Sequence, residues 1–396
     1  MKTEAADLAV LGGGPAFAEP LHVGRPNVGD REQILRMIDE ALEEHWLSNS
    51  GSKLLAFESQ LSEYFGGLYC VATCNATLAL QITLRALGVS GKVILPAFTF
   101  VASAHAVAWE GLTPVFADVE AETLCMGPRQ AEAQIGPDTA ALLGVHLWGR
   151  HGDLEGLERL ARDRELPLVF DAAHALGCSV GGRPLVAFGD AAVVSFHATK
   201  VANSFEGGAV VTADAELADR VRAMRNFGFD EESEEVAGLG TNAKLSEAGA
   251  AMGLASLAAL DEFLAANRAN FAAYAEALGE IPGVELLPFS HPEETNCHHV
   301  TVLVDPQAAG LDRDELKTVL EAENVLARRY FHPGCHRVPP HDALPTAPLP
   351  VTERALGRCL SLPTGTAVRP EDAAAIGQLV RLAVSDAATV RDRLGS

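Results

Sequence analysis

The stretch that decides the fold is Val193-Val194-Ser195-Phe196-His197-Ala198-Thr199-Lys200, and Glu206-Gly207-Gly208 and Ala209-Val210-Val211-Thr212 follow it. Apolar residues lead into Ser195, and a glycine turn precedes the second apolar run, so the pattern predicts a strand, a polar bend and another strand. Lys200 is one of only six lysines, and it lies just past the first strand, where neighbours can exclude water. Desolvation favours the neutral amine, which attacks carbonyls; an ordinary solvated loop lysine is the alternative.

An acidic residue closes another apolar run. Pro167-Leu168-Val169-Phe170 ends at Asp171, 29 residues before Lys200 (200 − 171), and Ala172-Ala173-His174 follows. In α/β sheets the reactive groups lie at the carboxyl ends of strands. A lysine and a carboxylate in such a place favour pyridoxal phosphate, because the lysine forms a Schiff base and the acid keeps the pyridine nitrogen protonated. A plain helix N-cap is the alternative for Asp171.

The composition indicates a large, acidic globular protein. The 396 residues are enough for two domains with sizeable cores, and 48% of them are hydrophobic. The formal charge of 30 − 53 = −23 argues against nucleic acid and against an anionic membrane surface as partners. No apolar run reaches about 18 residues, and no basic segment followed by an apolar core begins the chain, so we expect neither a membrane span nor a signal peptide.

Seven cysteines are scattered along the chain without a C-x-x-C pair. An odd, scattered set argues for reduced thiols in a cytoplasm and against a disulfide framework. His332, Cys335 and His336 lie close together around the Pro333-Gly334 turn, but no second ligand pair follows nearby. We therefore expect no metal site.

The N-terminal segment contains a glycine-rich stretch that does not match a dinucleotide site. Leu8-Ala9-Val10-Leu11 leads into Gly12-Gly13-Gly14, but Phe17 stands where the third glycine of G-x-G-x-x-G would be. We therefore expect a flexible arm here.

Asp30 is a plausible N-cap for the first helix. The expected apolar face of that helix consists of Ile34, Leu35, Ile38, Ala41 and Leu42.

Strand patterns alternate with helical patterns in the first part of the chain. Expected strands at Val93–Pro96, Pro114–Val119 and Ala140–Val145 are separated by helical segments. This alternation predicts an α/β fold with a large, doubly wound, mostly parallel sheet. Long Ala-rich helices up to about residue 280 suggest a hinge into a smaller C-terminal α/β domain. The expected division is an N-terminal arm at 1–25, a large domain at 26–257 and a small domain at 258–396.

Three further segments have two interpretations each. Thr73-Cys74-Asn75-Ala76-Thr77 opens a helix, whose free N–H groups can bind an anion, although ordinary capping explains Asn75 and Thr77 equally well. Phe100 can stack on a flat ring or can simply belong to the core. Gly228–Gly240 is acidic and predicts an exposed loop or a disordered lid.

Together, these motifs resemble the DegT–StrS family of pyridoxal phosphate-dependent sugar aminotransferases, which have fold type I. The resemblance runs from Gly24 to Pro370 and keeps the order of the family's motifs. The matching segments begin at Trp46 (W-L-S-N), Asn75 (N-A-T), Phe98 (F-T-F-V-A-S), Asp171 (D-A-A-H-A-L-G), Ser195 (S-F-H-A-T-K), Glu206 (E-G-G), Thr241 (T-N-A-K) and Tyr330 (Y-F-x-P-G-C-H).

The resemblance implies a role for each site residue. Lys200 corresponds to the Schiff-base lysine that also carries a proton, Asp171 to the partner of the pyridinium nitrogen, and His174 to a neighbour of the cofactor's 3′-oxygen. The other implied cofactor contacts are Phe100 on the ring, Ala76, Thr77 and Ser195 at the phosphate, and Asn242 from the second subunit of a homodimer. The implied substrate-binding residues are Lys244, Tyr330 and His336.

Several positions depart from the commoner family pattern. Asn75-Ala76-Thr77 stands where Ser-Gly-Thr is usual, and His174 replaces a frequent glutamine but can still donate a hydrogen bond. Lys244 stands where arginine is usual, and a lysine cannot make a bidentate fork to a phosphate. Family members that are dehydratases or isomerases have a histidine at the position of Lys200, so the lysine favours transamination.

The implied reaction moves an amino group from L-glutamate to a nucleotide-linked keto-6-deoxysugar in ping-pong order. The T-N-A-K and P-G-C-H variants look most like members that act at C4 of a dTDP-4-keto-6-deoxyhexose such as dTDP-4-keto-6-deoxyglucose. A C3 ketosugar and a keto-inositol are the alternative acceptors. A regulator that kept the fold and lost the chemistry is the alternative of another class, although Asp171, His174, Ser195 and Lys200 argue against it.

Overall fold

The computed structural model describes residues 2–230 and 235–395, which group into two units by their internal contacts. The large unit consists of Pro26–Asp261 and Pro333–Thr352. The small unit consists of Met1–Arg25, Glu262–His332 and Glu353–Ser396. The expected boundaries between arm, large domain and small domain stay predictions, because grouping by contacts does not show which segments fold independently.

The described residues of the two units contain the following strands and helices, numbered in chain order. The strands are β1 (Leu21–His22), β2 (Tyr69–Thr73), β3 (Lys92–Pro96), β4 (Thr113–Ala117), β5 (Thr139–Val145), β6 (Leu168–Asp171), β7 (Ser179–Val180), β8 (Arg183–Pro184), β9 (Ala191–Ser195), β10 (Gly208–Thr212), β11 (Val284–Leu286), β12 (Val300–Val304), β13 (Val325–Leu326) and β14 (Cys359–Leu362). The helices are α1 (Arg31–Glu43), α2 (Ser52–Tyr64), α3 (Ala76–Ala86), α4 (Val101–Trp109), α5 (Pro128–Glu132), α6 (Leu154–Asp163), α7 (Ala215–Arg225), α8 (Glu247–Ala258), α9 (Leu260–Leu278), α10 (Pro306–Ala309), α11 (Arg313–Ala322), α12 (Pro350–Arg358), α13 (Pro370–Ser385) and α14 (Ala387–Leu394).

The large unit is built on a seven-stranded sheet with the order β2-β10-β9-β6-β5-β3-β4. The five strands from β9 to β4 run parallel, whereas β10 runs antiparallel to both of its neighbours. Every residue of β6 and β9 is buried, which is the pattern of parallel strands covered on both faces. The predicted mostly parallel sheet is present, and β6 and β9 lie side by side within it.

The first helix begins where the sequence predicts. The Asp30 carboxylate accepts hydrogen bonds from the N–H groups of Glu32 and Gln33 at 2.8 and 3.0 Å, so Asp30 caps α1. The predicted apolar face is only partly buried. Ile34 and Ala41 lie in the core, but Leu35 and Leu42 are 48% and 53% exposed, because each lies about 100° further round the helix.

The small unit contains an antiparallel sheet with the order β11-β12-β14 and a core to which the N-terminal segment contributes. Leu8 is fully buried in this core. The buried carboxylate of Glu323 accepts hydrogen bonds from Lys2 Nζ, from Ala9 N–H and from Ala16 N–H at 2.7, 2.7 and 2.8 Å. The expectation of a flexible arm is therefore wrong: an apolar anchor and a buried carboxylate hold the segment against its own unit.

The acidic loop at 228–240 lies partly outside the described residues, which omit 231–234. Its described ends are paired, since Phe229 forms an antiparallel bridge with Val236 and Ala237 N–H donates to the Gly228 oxygen at 2.9 Å. Phe229, Val236 and Leu239 are 38%, 62% and 67% exposed, so the described part is an exposed loop, as one of the two interpretations predicted.

Two wider expectations concern membranes and thiols. Over residues 2–230 and 235–395, no single helix is both long and apolar enough to cross a membrane. The bent pairs α8 with α9 and α13 with α14 meet the test of length and composition only when each pair is taken together. All seven cysteines are free thiols, as predicted.

Candidate active site

Asp171 ends one strand and Lys200 follows the carboxyl end of the neighbouring parallel strand, so both lie at the same edge of the sheet. β6 ends at Asp171, which lies in register with Val193 of the neighbouring parallel strand β9. β9 ends at Ser195, and the bend after it is closed by a hydrogen bond of 2.9 Å from Lys200 N–H to the His197 oxygen. Asp171, at the end of β6, and Lys200, in the bend that follows β9, are 29 positions apart in the sequence (200 − 171) and lie on or just after adjacent strands of one sheet.

Burial and charge act against each other in this pair. Burial lowers the pKa of Lys200 to about 8, and the negative charge of Asp171 only partly offsets that effect. Burial likewise raises the pKa of Asp171, whereas hydrogen bonds from Ser103 and from Ala173 N–H and the charge of Lys200 lower it. A lysine whose pKa is lowered from 10.5 to about 8 has a larger share of the neutral, reactive amine, which Schiff-base chemistry needs.

The buried residue His146 contacts the last two residues of β6, Phe170 and Asp171. The N–H of His146 donates to the Asp171 backbone oxygen at 3.0 Å, and the imidazole stacks on Phe170 with ring centroids 4.4 Å apart. Burial lowers the pKa of His146 to about 3, so the ring is neutral. It therefore adds no positive charge that would compete with Lys200 for the Asp171 carboxylate.

The start of α3 forms an open cradle beside Ser195. The Asn75 side chain caps the N–H of Leu78 at 2.8 Å, which leaves Ala76 and Thr77 in the first turn, where N–H groups have no partner inside the helix. Gly208 pairs in register with Ser195, and a Cβ added to Gly208 would lie 2.6 Å from the Ala76 nitrogen. The glycine keeps this space free, and a helix N-terminus with free N–H groups binds phosphate.

His174 is oriented by an unusual backbone conformation. Trp148 has φ +55°, which is left-handed for a residue with a bulky side chain, and its N–H donates to His174 Nδ1 at 3.2 Å. Nδ1 therefore accepts, and the neutral ring carries its proton on Nε2. A proton at Nε2 suits the implied contact with an oxygen atom.

The remaining expected cofactor residues occupy two separate segments of the large unit. Phe100 precedes α4 as its N-cap residue and is 55% exposed. Asn242 is also exposed, and the next residue, Ala243, accepts a hydrogen bond of 2.8 Å from Cys74 N–H. Asn242 thus lies on a segment that is bonded to the chain just before the α3 cradle.

The three expected substrate residues are distributed over both units. Lys244 donates to Asn226 Oδ1 at 2.9 Å and lies 4.7 Å above the Phe227 ring. The His336 ring contacts Phe116 with centroids 6.1 Å apart in the large unit. Tyr330 belongs to the small unit, where its ring packs on Phe331 at 5.3 Å, and burial raises the pKa of its phenol.

Several residues at this edge were given no role from the sequence. Ser103 donates a hydrogen bond of 2.7 Å to Asp171 Oδ2, and Thr99 contacts Ser103 at 3.1 Å. Cys335 Sγ donates to the Thr99 backbone oxygen at 2.9 Å. The signal was present in the F-T-F-V-A-S motif, where Thr99 and Ser103 stand four residues apart and so share one side of a helical turn.

This arrangement defines a class of enzyme. A lysine of lowered pKa, a buried carboxylate beside it and a helix N-terminus kept open by Gly208 fit the aldehyde, the pyridine nitrogen and the phosphate of pyridoxal phosphate. Comparison with known proteins agrees. The model of the DegT/DnrJ/EryC1/StrS aminotransferase family matches residues 29–381, and the chain belongs to that family.

Individual relatives cover most of the chain. A dTDP-4-amino-4,6-dideoxy-D-glucose transaminase of Shigella dysenteriae is 35% identical over 315 residues, which is 80% of this chain and 85% of the relative. The enzyme of the same name from Escherichia coli is 30% identical over 362 residues, or 90% and 97% of the two chains. The crystal structure of DesI in the presence of its TDP-sugar product has 48% identity and a TM-score of 0.94, and it covers 99% of this chain and 100% of that one.

The predicted family, fold type I and enzyme class are confirmed. The chain is a pyridoxal phosphate-dependent aminotransferase. The roles of the individual site residues stay predictions.

Proposed function

We propose that this aminotransferase moves an amino group from L-glutamate to C4 of a nucleotide-linked sugar, dTDP-4-keto-6-deoxyglucose. The observation that carries the catalytic part is the pair formed by Lys200 and Asp171 at one edge of the sheet. The names of the two transaminase relatives support the sugar and its position, and the TDP-sugar product in the DesI title supports the nucleotide. A C3 ketosugar and a keto-inositol are the remaining acceptors to test.

The residues of this chain divide the work between binding and proton transfer. Pyridoxal phosphate, when bound, supplies an aldehyde and an electron-accepting ring. Ala76, Thr77 and Ser195 would bind its phosphate, Phe100 would stack on its ring, and His174 would donate from Nε2 to its 3′-oxygen. Asp171 holds the proton on the ring nitrogen. The Lys200 amine would take a proton from the substrate carbon and deliver it to the cofactor's C4′.

The acceptor needs a positive or polar lining in a protein of net charge −23. We assign this lining to Lys244, Tyr330 and His336. The Lys244 ammonium already donates to Asn226 Oδ1, so it would have to bind a diphosphate and the Asn226 side chain at the same time. A lysine recognises a phosphate as a point charge and not through a bidentate fork, so this contact depends strongly on salt.

A second copy of the chain is proposed as the partner. Leu35 and Leu42, seven positions apart on α1, are 48% and 53% exposed, and Trp46 and Leu47 beyond the end of α1 are 53% and 54% exposed. Apolar side chains grouped in this way mark a surface that another protein covers. Asn242 is assigned to the phosphate of that second copy.

The decisive experiment mixes the enzyme and L-glutamate with dTDP-linked 4-ketosugar, dTDP-linked 3-ketosugar and a keto-inositol, and locates the new amine by NMR. We expect amination at C4 of the first acceptor and formation of 2-oxoglutarate. Faster amination of either alternative would reassign the substrate. A regulator without catalytic activity would aminate none of the three, and it would not consume glutamate.

A further inference from the structure

Two buried hydroxyl groups lie behind the Asp171 carboxylate. Thr99 and Ser103 are 1% and 0% exposed. Their hydroxyl oxygens are 3.1 Å apart, and Ser103 Oγ donates to Asp171 Oδ2 at 2.7 Å. The other carboxylate oxygen, Oδ1, accepts the N–H of Ala173 at 3.1 Å. Both oxygens of the buried acid therefore have a donor from its own unit.

The direction of this hydrogen-bond chain follows from the number of protons. An ionised carboxylate can only accept, so the single hydroxyl proton of Ser103 points to Asp171. Ser103 then has only lone pairs to offer to Thr99, and the Thr99 hydroxyl must be the donor of the 3.1 Å contact. The chain runs from Thr99 through Ser103 to Asp171, and hydrogen bonds aligned in this way strengthen one another.

The strength of the Ser103 contact can be ranked against the other influences on Asp171. Burial raises the pKa of the carboxyl group most strongly. The hydrogen bond from Ser103 is the largest opposing influence, ahead of the N–H of Ala173 and ahead of the charge of Lys200. The Ser103 contact, at 2.7 Å, is shorter than the contact of the Ala173 N–H, at 3.1 Å, which is consistent with that order.

We propose that Ser103 and Thr99 are positioning residues of the transamination: they fix the orientation of the Asp171 carboxylate and keep it ionised. They act through Asp171 and need no contact with the cofactor. The proposal rests on the proposed role of Asp171 toward the cofactor's ring nitrogen.

The local structure explains why these hydroxyls are so well placed. Ser103 N–H donates to the oxygen of the N-cap residue Phe100 at 3.2 Å, so this hydrogen bond closes the first turn of α4. The same turn thereby sets the aromatic side chain assigned to the cofactor ring and the donor to its acidic partner. Cys335 Sγ, from a distant segment of the chain, donates a hydrogen bond of 2.9 Å to the backbone oxygen of Thr99, which lies just before this turn.

The test compares Ser103→Ala and Thr99→Val with Ser361→Ala. Ser361 is a matched control, because it is 1% exposed and its Oγ lies 3.0 Å from Thr301 Oγ1, in the small unit. Two readouts are measured on each holoenzyme: the rate at which pyridoxal phosphate is lost on dialysis, and the absorbance of the bound cofactor as a function of pH. Circular dichroism checks that each variant is folded.

We expect Ser103→Ala to lose the cofactor about tenfold faster and to shift the absorbance titration, since a hydrogen bond to a charged group is removed. Thr99→Val should give a smaller shift in the same direction, because Ser103 keeps its own proton for Asp171. Ser361→Ala should match the wild type in both readouts. In an Asp171→Asn background, Ser103→Ala should add no further shift, because no charge remains to be held.

The outcomes separate this proposal from the proposed function. If the wild type formed no covalent link to pyridoxal phosphate, or formed one that did not require Lys200, the proposed function itself would fail. If the wild type bound it and responded to Asp171→Asn, but Ser103→Ala behaved like Ser361→Ala, the positioning role would be overturned. Equal shifts from Ser103→Ala with and without Asp171 would also overturn it. Should Ser103→Ala not fold, an unchanged titration in Thr99→Val would decide against the proposal.

Discussion

Asp171 lies in register with Val193 on the adjacent parallel strand, and Lys200 follows Val193 by seven residues (200 − 193). The strand that carries the acid and the strand that leads to the lysine therefore end at one edge of the sheet. Burial raises the pKa of the carboxyl group and lowers that of the amine, and each charge partly offsets the shift of the other. Removing either residue should consequently change the behaviour of its partner.

The first prediction concerns Lys200. Lys200→Ala should fold, bind pyridoxal phosphate without a covalent link and show no turnover, because it lacks the amine that forms the Schiff base and moves the proton. Borohydride should fix the cofactor covalently to the wild type and not to the variant, as seen by mass spectrometry. Lys92→Ala is the control, since Lys92 is exposed and paired with Asp138 at 3.2 Å. Normal turnover in Lys200→Ala would end the assignment.

The second prediction concerns Asp171. Asp171→Asn keeps the shape of the side chain and removes the charge that holds the ring proton, so we expect kcat to fall by more than about tenfold, or ~1.4 kcal/mol of transition-state stabilisation. Asp190→Asn is the control, because Asp190 bonds to the other end of the same strand through Leu168 N–H at 2.8 Å. A loss of kcat below tenfold would reduce Asp171 to a structural role.

The third prediction concerns pH. The pKa of Lys200 is lowered from its ordinary value of 10.5 to about 8, so the neutral amine should accumulate as the pH rises through 8. The rate at which cofactor-free enzyme takes up pyridoxal phosphate should rise with pH and level off above that value. In Asp171→Asn the midpoint should move to lower pH, because the carboxylate that raises the pKa is gone. A midpoint near 10.5 would mean that the amine is solvated.

The same shift has a consequence for stability. Between pH 8 and 10.5 the unfolded chain holds the Lys200 proton more tightly than the folded chain does. The contribution of this group to the free energy of unfolding should therefore increase as the pH rises through that window. Below pH 8 the folded protein holds the buried cation, so its full destabilising effect is present there. Lys200→Ala, compared with wild type in urea titrations of the cofactor-free protein, should remove this increase.

The fourth prediction concerns the space at the start of α3. A Cβ on Gly208 would lie 2.6 Å from the Ala76 nitrogen, so Gly208→Ala should displace the first turn and weaken cofactor binding. Overpacking of this kind costs roughly 1–3 kcal/mol, and we expect a dissociation constant raised by about tenfold or more. The control is Gly136→Ala, since a Cβ there would meet nothing within 4 Å. Unchanged affinity in Gly208→Ala would argue against the phosphate site.

The sequence predicts the sheet and the Lys200–Asp171 pair well because both depend on local patterns. Strands β6 and β9 are apolar runs that lead to the reactive residues, and the order of the motifs relates the chain to a family that has this acid and this lysine. The spacing of Thr99 and Ser103 shows that they share one side of a turn, but the contact of Ser103 with Asp171 depends on the packing of α4 against β6. The contact of Trp148 depends on its left-handed backbone, which has no local sequence pattern. The N-terminal segment was misjudged because its anchor, Glu323, is more than 300 residues away.

The fifth prediction concerns the subunit that Asn242 serves. The exposed position of Asn242 allows it to reach a second copy, as proposed. The hydrogen bond of 2.8 Å from Cys74 N–H to the Ala243 oxygen, however, holds the same segment close to the α3 start of its own chain. The two arrangements make opposite predictions for hybrids of inactive variants.

Asn242→Asp places a negative charge against the phosphate, and Lys200→Ala removes the reactive amine, so each variant alone should be inactive. If Asn242 crosses to the partner, both defects of a hybrid dimer fall in one site, and the other site is built wholly from intact residues. Such hybrids, purified with two different affinity tags, should recover roughly half of the wild-type activity per dimer if the two sites act independently. If Asn242 serves its own chain, each site of the hybrid holds one defect and nothing is recovered. Verified hybrids without activity would therefore reject the shared site and assign Asn242 to the cradle of its own chain.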